Sequence, residues 1–522
     1  MKKHIFLSIL SGLLLGLSWP TYGVSFLIFF SFVPLLVLET QLRSSSWKVF
    51  GYTYLSMLIW NSMTSWWLWY SSVFGMFFAI LVNSLLMTMV FMMYHKISRK
   101  LPKKTAFLFL PAIWISFEKF HLIWDFSWPW LNLGNVFSET TLWIQWYEYT
   151  GSFGGSLWIW VVNLLFFNAI IRSSNKKILL KKVATTLLVV AIPIAISLAI
   201  FQKTTIQTNT PISVAVLQPN VDPYTEKYNQ KNEESLAVVQ QMMAPYNMNS
   251  IDLVIAPETY FAEGAGLSLR NFETSTLYKS IDDWLSNYPK TQFVTGIQLF
   301  KTYTSEDTKT ATSNLIREQL WVDFYNSAFI HPSFDENTIY HKSKLVVGVE
   351  NTPYRSIIEP ILGNVLLDLG GTVFTKATQE YRTSFPLIKG ASIAPIICYE
   401  SVYGSFVTDY VRAGATILVI MTNDAWWSNT QGHKQHLSYA KLRALETRKF
   451  IARSANTGIS AIIDPLGKIV THLEYDTQGV LAARVYPQQK KTFYVLYGDF
   501  IARIAILIAG LILLFSISRR KQ

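Results

Sequence analysis

Three segments of the chain carry a nucleophile or a titratable side chain at the point where an apolar run ends. Glu258 follows "LVIAP", Cys398 follows "IAPII", and Asn423 with Asp424 follows "ILVIM". In layered α/β folds, catalytic groups gather beyond the carboxyl ends of the strands. We therefore expect these side chains to share one site, although a single strand-end acid is more commonly a helix cap or a turn residue.

Cys398 is the only cysteine in 522 residues, so the chain can form no internal disulfide. A thiol attacks as its thiolate, and since the pKa of a free thiol is about 8.5, the site must supply a base or positive surroundings. Glu258 could accept the proton, and a lysine of "YHKSKL" could stabilise the oxyanion formed on an acyl carbonyl. Spacing does not choose between Lys342 and Lys344, which would face the same side of a strand. Such a set predicts acyl transfer through a thioester.

The elements that would position these residues lie in one predicted soluble domain, 210–490. Strand-like apolar runs alternate with helical patterns, which indicates a sheet covered by helices. The predicted strands are 212–220, 251–258, 292–300, 325–332, 338–345, 391–400, 416–424, 458–465 and 479–486. The predicted helices are 233–246, 270–287, 404–414 and 434–453.

The rest of the chain is predicted to lie in a membrane. A hydrophobic fraction of 51%, with 15% charged residues and a mean hydropathy of +0.26, is unusual for a soluble enzyme. Eight apolar stretches approach the length of a bilayer-spanning helix. They lie near residues 5–20, 24–38, 50–70, 74–94, 105–118, 156–171, 183–201 and 495–517. We expect seven transmembrane helices in 1–205 and one more in 494–518. The first stretch could instead be a signal peptide, but Trp19-Pro20-Thr21 is a poor cleavage site.

The charges of the connecting loops predict the orientation of these helices. Lysines and arginines collect in every second loop, whereas the alternate loops hold only Lys119. Because basic residues accumulate on the cytoplasmic side, both termini should be cytoplasmic and the large domain should lie outside the cytoplasm. The same basic flanks explain the net charge of +12, so nucleic acid is not needed as a partner.

The chemistry-bearing segments resemble the motifs of the carbon-nitrogen hydrolase (nitrilase) superfamily. Glu258 in "APETY", Lys342 in "YHKSKLVVGVE" and Cys398 in "IICYE" match its Glu-Lys-Cys triad in order and spacing. The resemblance implies an α-β-β-α sandwich, and it selects Lys342 over Lys344. Seven helices before this domain and one after it are similar to the plan of the apolipoprotein N-acyltransferase family.

The resemblance also implies a role for each matched residue. Cys398 would be the nucleophile, Glu258 the general base and acid, and Lys342 the oxyanion and orientation group. Supporting residues would be Glu350, Tyr399 and Glu400, and Asn423 and Trp426 could line the pocket. Two departures put the pocket lining and a local turn in question: Ala256 stands where the family usually has Trp, and Leu-Val-Val-Gly-Val-Glu stands for Leu-Val-Pro-Phe-Gly-Glu.

The implied reaction is phospholipid-dependent N-acylation without a cofactor or metal. The sn-1 acyl chain of a phospholipid, typically phosphatidylethanolamine, would pass to Cys398 as a thioester. The α-amino group of a diacylglyceryl-modified N-terminal cysteine of a lipoprotein would then attack in a ping-pong sequence, the last step of lipoprotein maturation. The implied place is the periplasmic side of a bacterial inner membrane. The apolar segment 356–371 is a candidate flap that admits acyl chains, or else an amphipathic segment packed on the domain.

Two other functions compete with this prediction. The same fold and triad could form a membrane-tethered nitrilase-type amidase that hydrolyses small amides, but a tether needs one helix rather than seven. A multispan transporter or scaffold is disfavoured because few charges lie within the spans and the three triad residue types are all present. His433 and His436 could suggest a metal, but they lack a third ligand, and we predict them to be helix-surface histidines.

Overall fold

A computed structural model describes residues 1–173, 175–208, 210–222, 227–304, 309–333, 338–354 and 375–518 of the chain. The chain divides into two compact units. One comprises Met1–Thr204 with the chain from Tyr497 onward, and the other is Thr205–Leu496. The predicted flap, 356–371, falls outside the described residues.

The first unit is a bundle of apolar helices, as predicted. Its helices are α1 (Lys2–Leu17), α2 (Val33–Gln41), α3 (Ser46–Ser65), α4 (Val73–Lys100), α5 (Lys103–Phe120), α6 (Tyr147–Thr150), α7 (Ser152–Arg172), α8 (Lys176–Lys203) and, at the end of the chain, α14 (Phe500–Ser518). Within this unit α14 packs on α5, where Lys119 Nζ lies 2.8 Å from Asp499 Oδ2.

Four helices in the described part of the chain are long and apolar enough to cross a membrane: α4, α8, α14 and Ser152–Ile171 within α7. The predicted number of eight is therefore not confirmed. The stretch near 24–38, for example, divides into a 3-10 turn, Ser25–Phe29, and the nine-residue helix α2. Pro34 fits the first turn of α2, where no backbone donor is needed, so it favours a new start there over one continuous helix.

The second unit is an α/β domain whose described residues form two sheets. Its strands are β1 (Ile212–Gln218), β2 (Leu253–Ile255), β3 (Leu267–Ser268), β4 (Gln292–Tyr303), β5 (Asn314–Arg317), β6 (Leu320–His331), β7 (Ile339–His341), β8 (Phe385–Pro386), β9 (Ser392–Ile397), β10 (Ile417–Thr422), β11 (Phe450–Ala455), β12 (Ala461–Ile463), β13 (Ile469–His472) and β14 (Gly479–Val485). Its helices are α9 (Asn232–Met243), α10 (Thr276–Ser286), α11 (Gly404–Arg412), α12 (Gln431–Thr447) and α13 (Phe493–Tyr497), the last of which reaches the boundary with the first unit.

The two sheets pack face to face. The order of the first is β14-β1-β2-β4-β6-β5, with β3 beside β4 and β7 beside β6, and the order of the second is β13-β12-β11-β10-β9-β8. Strand β1 shows the layering, because Val214 and Val216 join the core shared with the second sheet while Ala215 and Leu217 join the core under α9 and α10. This alternation confirms the predicted sandwich class.

Two predicted elements end earlier than their patterns suggested. The helix predicted over 434–453 stops at Thr447, because Arg448 adopts φ +53° in the left-handed region, and the chain then enters β11. The strand predicted over 338–345 stops at His341, just before the lysine of interest. In both cases the residues continue the helical or strand-like pattern past the point where the backbone turns. Composition does not mark that turn, so the predicted element was too long.

Candidate active site

Glu258, Cys398 and Asn423 lie just beyond strand ends, as expected, and Lys342, which was predicted within a strand, does so too. Glu258 follows β2, Lys342 follows β7 directly, Cys398 follows β9 directly, and Asn423 is the first residue after β10. Strands β9 and β10 are parallel neighbours, so Cys398 and Asn423 leave the same edge of the second sheet. The main-chain nitrogen of Lys342 donates to the carbonyl of Asn326 on β6 at 2.8 Å, which fixes the start of the lysine segment.

Lys342 is held between two buried carboxylates. Its Nζ lies 2.9 Å from Glu258 Oε1 and 2.8 Å from Glu350 Oε2. Asn326, on the buried strand β6, donates from Nδ2 to Glu258 Oε1 at 2.8 Å and to Glu350 Oε1 at 3.0 Å. Glu350 Oε2 also accepts from the main-chain nitrogen of Val346 at 2.9 Å. All four polar side chains are therefore locked by one another.

The charges in this cluster set its protonation. Burial alone would lower the pKa of Lys342, but the carboxylates of Glu258 and Glu350 raise it well above its usual value. Burial alone would raise the pKa of Glu350, but the ammonium groups of Lys342 and Lys376 lower it to about 2. Lys342 is therefore a permanent cation near neutral pH, which suits oxyanion stabilisation and excludes a role as general base.

Glu258 is the group that can take a proton. Both side-chain donors, Lys342 Nζ and Asn326 Nδ2, bond its Oε1. Among the described residues no hydrogen-bond donor reaches Oε2, so that oxygen is available to a substrate. A carboxylate with one oxygen anchored and the other open can accept and return a proton without reorienting.

Cys398 occupies a strained turn at the end of β9. Its φ is +49°, in the left-handed region that a side chain rarely adopts, and it begins a 3-10 turn, Cys398–Val402. Burial, followed by the charge of Glu258, raises the pKa of the thiol well above its usual value, while Lys342 acts in the opposite direction. The resting group is therefore a thiol, which would need a base in order to act as a nucleophile.

A buried polar network contacts the Cys398 turn and includes His436. The prediction that His436 lies on a helix surface is therefore wrong. His436 is only 1% exposed. Its Nε2 lies 3.2 Å from the carbonyl of Cys398 and 2.9 Å from Ser401 Oγ, and its Nδ1 lies 3.0 Å from Asp424 Oδ1. Asp424 in turn pairs with Arg453 NH2 at 2.7 Å. Asp424, the other strand-end acid, thus supports the Cys398 turn through His436.

His433 was likewise expected on a helix surface and is buried at 1% exposure. Its Nε2 lies 3.1 Å from Asn429 Oδ1, and its ring packs against that of Tyr475, tilted by 32° with the centroids 4.4 Å apart. Helix α12 has buried residues around most of its circumference, because it lies under other parts of the domain. Polar residues on a helix are therefore no guarantee of exposure.

Glu400 connects the cysteine turn to the lysine segment. Its Oε2 accepts from the main-chain nitrogen of Ile397 at 2.8 Å, and its Oε1 accepts from that of Ser343 at 2.7 Å and from Tyr340 at 2.7 Å. Ser343 follows Lys342 and Ile397 precedes Cys398. The buried carboxylate therefore sets the spacing of the two reactive segments.

The remaining predicted residues surround this centre. Tyr399 is buried, with its ring edge-on to that of Tyr403. Asn423 is buried and its Oδ1 accepts from Asn456 Nδ2 at 3.3 Å, while its Nδ2 has no partner among the described residues. Trp426 is half-buried in a 3-10 turn, Ala425–Trp427. Lys344 leaves the centre and lies over the ring of Tyr403 at 5.1 Å.

Sequence reasoning missed Asn326, which touches both carboxylates. Its place within the strand-like run "YNSAFIH", which we predicted to be covered, was a usable signal, since buried polar groups must find partners. The described residues contain no group of three or more His, Cys, Asp or Glu that could hold a metal. The residues brought together can do proton transfer, thiol attack and oxyanion stabilisation.

Family models match most of the chain in two parts. Residues 11–165 match the apolipoprotein N-acyltransferase N-terminal domain. Residues 213–491 match the carbon-nitrogen hydrolase family, and that match alone covers more than half of the chain.

Similar proteins extend over the full length. The apolipoprotein N-acyltransferase of Chlorobaculum tepidum is 27% identical over 531 residues, covering 100% of this chain and 98% of that protein. The one from Geobacter metallireducens is 25% identical over 519 residues, covering 96% and 93%. Among solved structures, Saccharomyces cerevisiae Nit3 of the nitrilase superfamily aligns with a TM-score of 0.35 and 16% identity, over 53% of this chain and 90% of that one.

Proposed function

The chain belongs to the carbon-nitrogen hydrolase family as one of its membrane-bound acyltransferases, and we propose that it moves an acyl chain from a phospholipid to a lipoprotein through Cys398. The observation that carries the proposal is the buried set of Glu258, Lys342 and Glu350 beside the strained Cys398 turn. The acceptor class follows from the name shared by the relatives, and phosphatidylethanolamine is the donor we propose.

In the first half-reaction Glu258 takes the thiol proton while Cys398 Sγ attacks the sn-1 ester carbonyl of the phospholipid. Lys342 offsets the negative charge on the carbonyl oxygen, since a fixed ammonium needs no reorganisation. The ester carbon–oxygen bond breaks, Glu258 returns the proton to the departing oxygen, and a lysophospholipid leaves. Cys398 then holds the acyl chain as a thioester.

In the second half-reaction the α-amino group of a diacylglyceryl-cysteine attacks the thioester carbonyl. Glu258 removes a proton from that nitrogen, the carbon–sulfur bond breaks, and the proton returns to the sulfur. The products are an amide and the free thiol. Conversion of a thioester to an amide is downhill, so the main tasks of the site are to hold the amine and to exclude water.

Supporting roles follow from the contacts. Glu350 orients Lys342, Glu400 spaces the two reactive segments, and Tyr399 packs beside the nucleophile. Asn423 and Trp426 line the substrate pocket in this proposal. Asn423 Nδ2, which has no partner among the described residues, is a donor that a substrate oxygen could meet.

The proposed domains are a membrane domain in 1–205, a catalytic domain in 210–490 and a final membrane helix in 494–518. The proposed place is the bacterial inner membrane, with the catalytic domain periplasmic and both termini cytoplasmic. The charge pattern of the loops supports this orientation.

The orientation has a simple test, because Cys398→Ala leaves a chain without cysteine. Tyr381 is 73% exposed in the α/β unit, and Ser44 is exposed in the loop after α2. In that background a membrane-impermeant maleimide should label Tyr381→Cys in spheroplasts, and Ser44→Cys only after lysis. The reverse pattern would overturn the orientation.

The function is tested with the purified full chain, phosphatidylethanolamine and a synthetic diacylglyceryl-cysteine peptide. The proposal expects an N-acylated peptide and a stoichiometric lysophospholipid. A membrane-tethered amidase would instead release ammonia from small amides and leave the peptide unmodified. The relatives do not favour that alternative, and its products would contradict the proposal.

A further inference from the structure

Lys227 is a buried lysine beside the turn of Glu258 that the mechanism above does not use. Its side chain is almost fully buried, with the residue 6% exposed. Its Nζ donates to the main-chain carbonyl of Glu258 at 3.2 Å and to Thr259 Oγ1 at 2.6 Å. A lysine is rarely buried unless its charge is paired, since removal of an ammonium from water is costly.

The turn that Lys227 holds is strained. Thr259 has φ +44°, in the left-handed region, and a β-branched residue is a pronounced outlier there. Gly296 of β4 closes the other side of the turn so tightly that a Cβ there would lie 2.3 Å from the nitrogen of Thr259. Lys227 and Gly296 therefore clamp the main chain that aims the carboxylate of Glu258.

The charges around the triad leave a place for a further cation. Lys342 is shared by two carboxylates, so the group Glu258–Lys342–Glu350 carries one net negative charge. Negative charge arriving on Cys398 would meet that excess directly. Lys376 Nζ lies 3.7 Å from Glu350 Oε1 and offsets part of this negative charge. The Lys376 side chain is 23% exposed, however, so water screens its charge. Lys227 is the buried cation on the side of Glu258.

The interactions of Lys227 agree with this placement. Burial lowers its pKa to about 8, Glu258 and Cys398 act to raise it, and Lys376 and Lys342 act to lower it. The Lys227 amine is therefore mostly protonated at neutral pH. Its charge interacts with the Cys398 thiol as well as with the Glu258 carboxylate. Lys227, Glu258 and Asn456 also line one small cavity of about 10 Å³, room for roughly one water molecule.

We propose that Lys227 is a positioning residue that holds the Glu258 turn and supplies the positive charge that offsets negative charge arriving on Cys398. The inference rests on the proposed function in that Cys398 is taken as the nucleophile. It adds a further side chain to the site, on a segment that carries none of the three triad motifs.

The test measures alkylation of Cys398 by iodoacetamide against pH, which needs no lipid, and separately the acylation of Cys398 by phospholipid. The variants are Lys227→Met, Lys227→Arg and Thr259→Val, with Lys279→Met as a matched control at an exposed lysine on α10. Lys227→Met should slow both reactions about tenfold or more and displace the alkylation profile to higher pH, because thiolate formation loses a favourable charge. Lys227→Arg should recover most of the rate, and Lys279→Met should match the parent.

Thr259→Val keeps the ammonium and removes one hydrogen bond, so it should slow acylation a few-fold without displacing the alkylation profile. It also keeps the test decisive if Lys227→Met does not fold. A profile displaced by Thr259→Val, or an unmoved profile in folded Lys227→Met, would overturn the role of the charge. Failure of acylation in every variant and in the parent, with the alkylation differences intact, would contradict the proposed function rather than the role of Lys227.

Discussion

The carboxylate of Glu400 accepts a hydrogen bond from the main-chain nitrogen of Ser343 at 2.7 Å, and this bond joins two segments that are 57 residues apart in sequence. One segment carries Lys342 and the other carries Cys398. Glu400 holds the main chain of both segments, so the separation of the two side chains depends on it. A site built from loops at strand ends needs such ties, because strands position only the first residue that leaves them.

Glu400→Ala should damage both folding and activity. It leaves the hydroxyls of Tyr340 and Tyr410 and two main-chain donors without their buried acceptor. Each buried donor left unpaired costs about 1–3 kcal/mol, so thermal unfolding should move down sharply and Cys398 acylation should be lost.

Two milder variants separate the contributions at Glu400. Glu400→Gln keeps the shape and should retain a folded domain with acylation slowed about tenfold or more. Tyr410→Phe removes only the longest of the four bonds, at 3.2 Å, and should stay within about threefold of the parent. Equal losses in both would contradict the spacing role.

The pH dependence of stability should carry the signature of Glu350. Its pKa is lowered from 4.5 to about 2 in the folded state, so its contribution is complete above about pH 4.5 and is lost as pH falls toward 2. Glu350→Gln should be less stable at neutral pH and should lose less stability over that window. Chemical denaturation at pH 7, 4.5 and 3 measures this, and identical pH slopes for variant and parent would refute it.

Gly296→Ala tests whether the turn of Glu258 must stay in place. The new Cβ would lie 2.3 Å from the nitrogen of Thr259 and 2.6 Å from the carbonyl oxygen of Pro257. Because these are main-chain atoms, the turn itself must move, and we expect Cys398 acylation to fall by about a hundredfold, as a displacement of 1 Å can produce. Gly51→Ala is the control, since nothing lies within 4 Å of its Cβ, and its rate should equal that of the parent.

Asp424→Asn should show the cost of breaking a buried ion pair. Asp424 and Arg453 are both fully buried, with Oδ2 and NH2 2.7 Å apart. An uncompensated guanidinium in such a place costs about 3–5 kcal/mol, so the free energy of unfolding should fall by that order. Asp409→Asn breaks the exposed pair with Arg412 and should cost at most about 1 kcal/mol. Equal effects would show that the network behind Cys398 is not structural.

The sequence predicted the layered domain, the helical bundle and the strand ends that hold Glu258, Cys398 and Asn423. These features follow from where apolar runs begin and end, which is a local property of the chain. Boundaries were predicted less well, because a single left-handed residue such as Arg448 ends a helix whose pattern continues.

Partners across the sheets could not be predicted in the same way. Asn326 and Lys227 reach the site from a mid-strand position and a loop. The polar Asn326 in a covered strand indicates that it needs a partner, but neither residue's local sequence shows which residues it contacts. His436 was taken for a surface residue because helix polarity does not reveal which face another layer covers. The choice of Lys342 over Lys344 came from the family motif, and in the structure it coincides with the end of β7 at His341.

The most direct measurement is intact-protein mass spectrometry of the purified chain incubated with phosphatidylethanolamine and no acceptor. We predict a mass increase of one acyl chain, mapped to Cys398, removed by hydroxylamine and absent from Cys398→Ala. An unmodified parent that still N-acylates the lipopeptide when it is added, or an adduct that persists in Cys398→Ala, would contradict a thioester on Cys398.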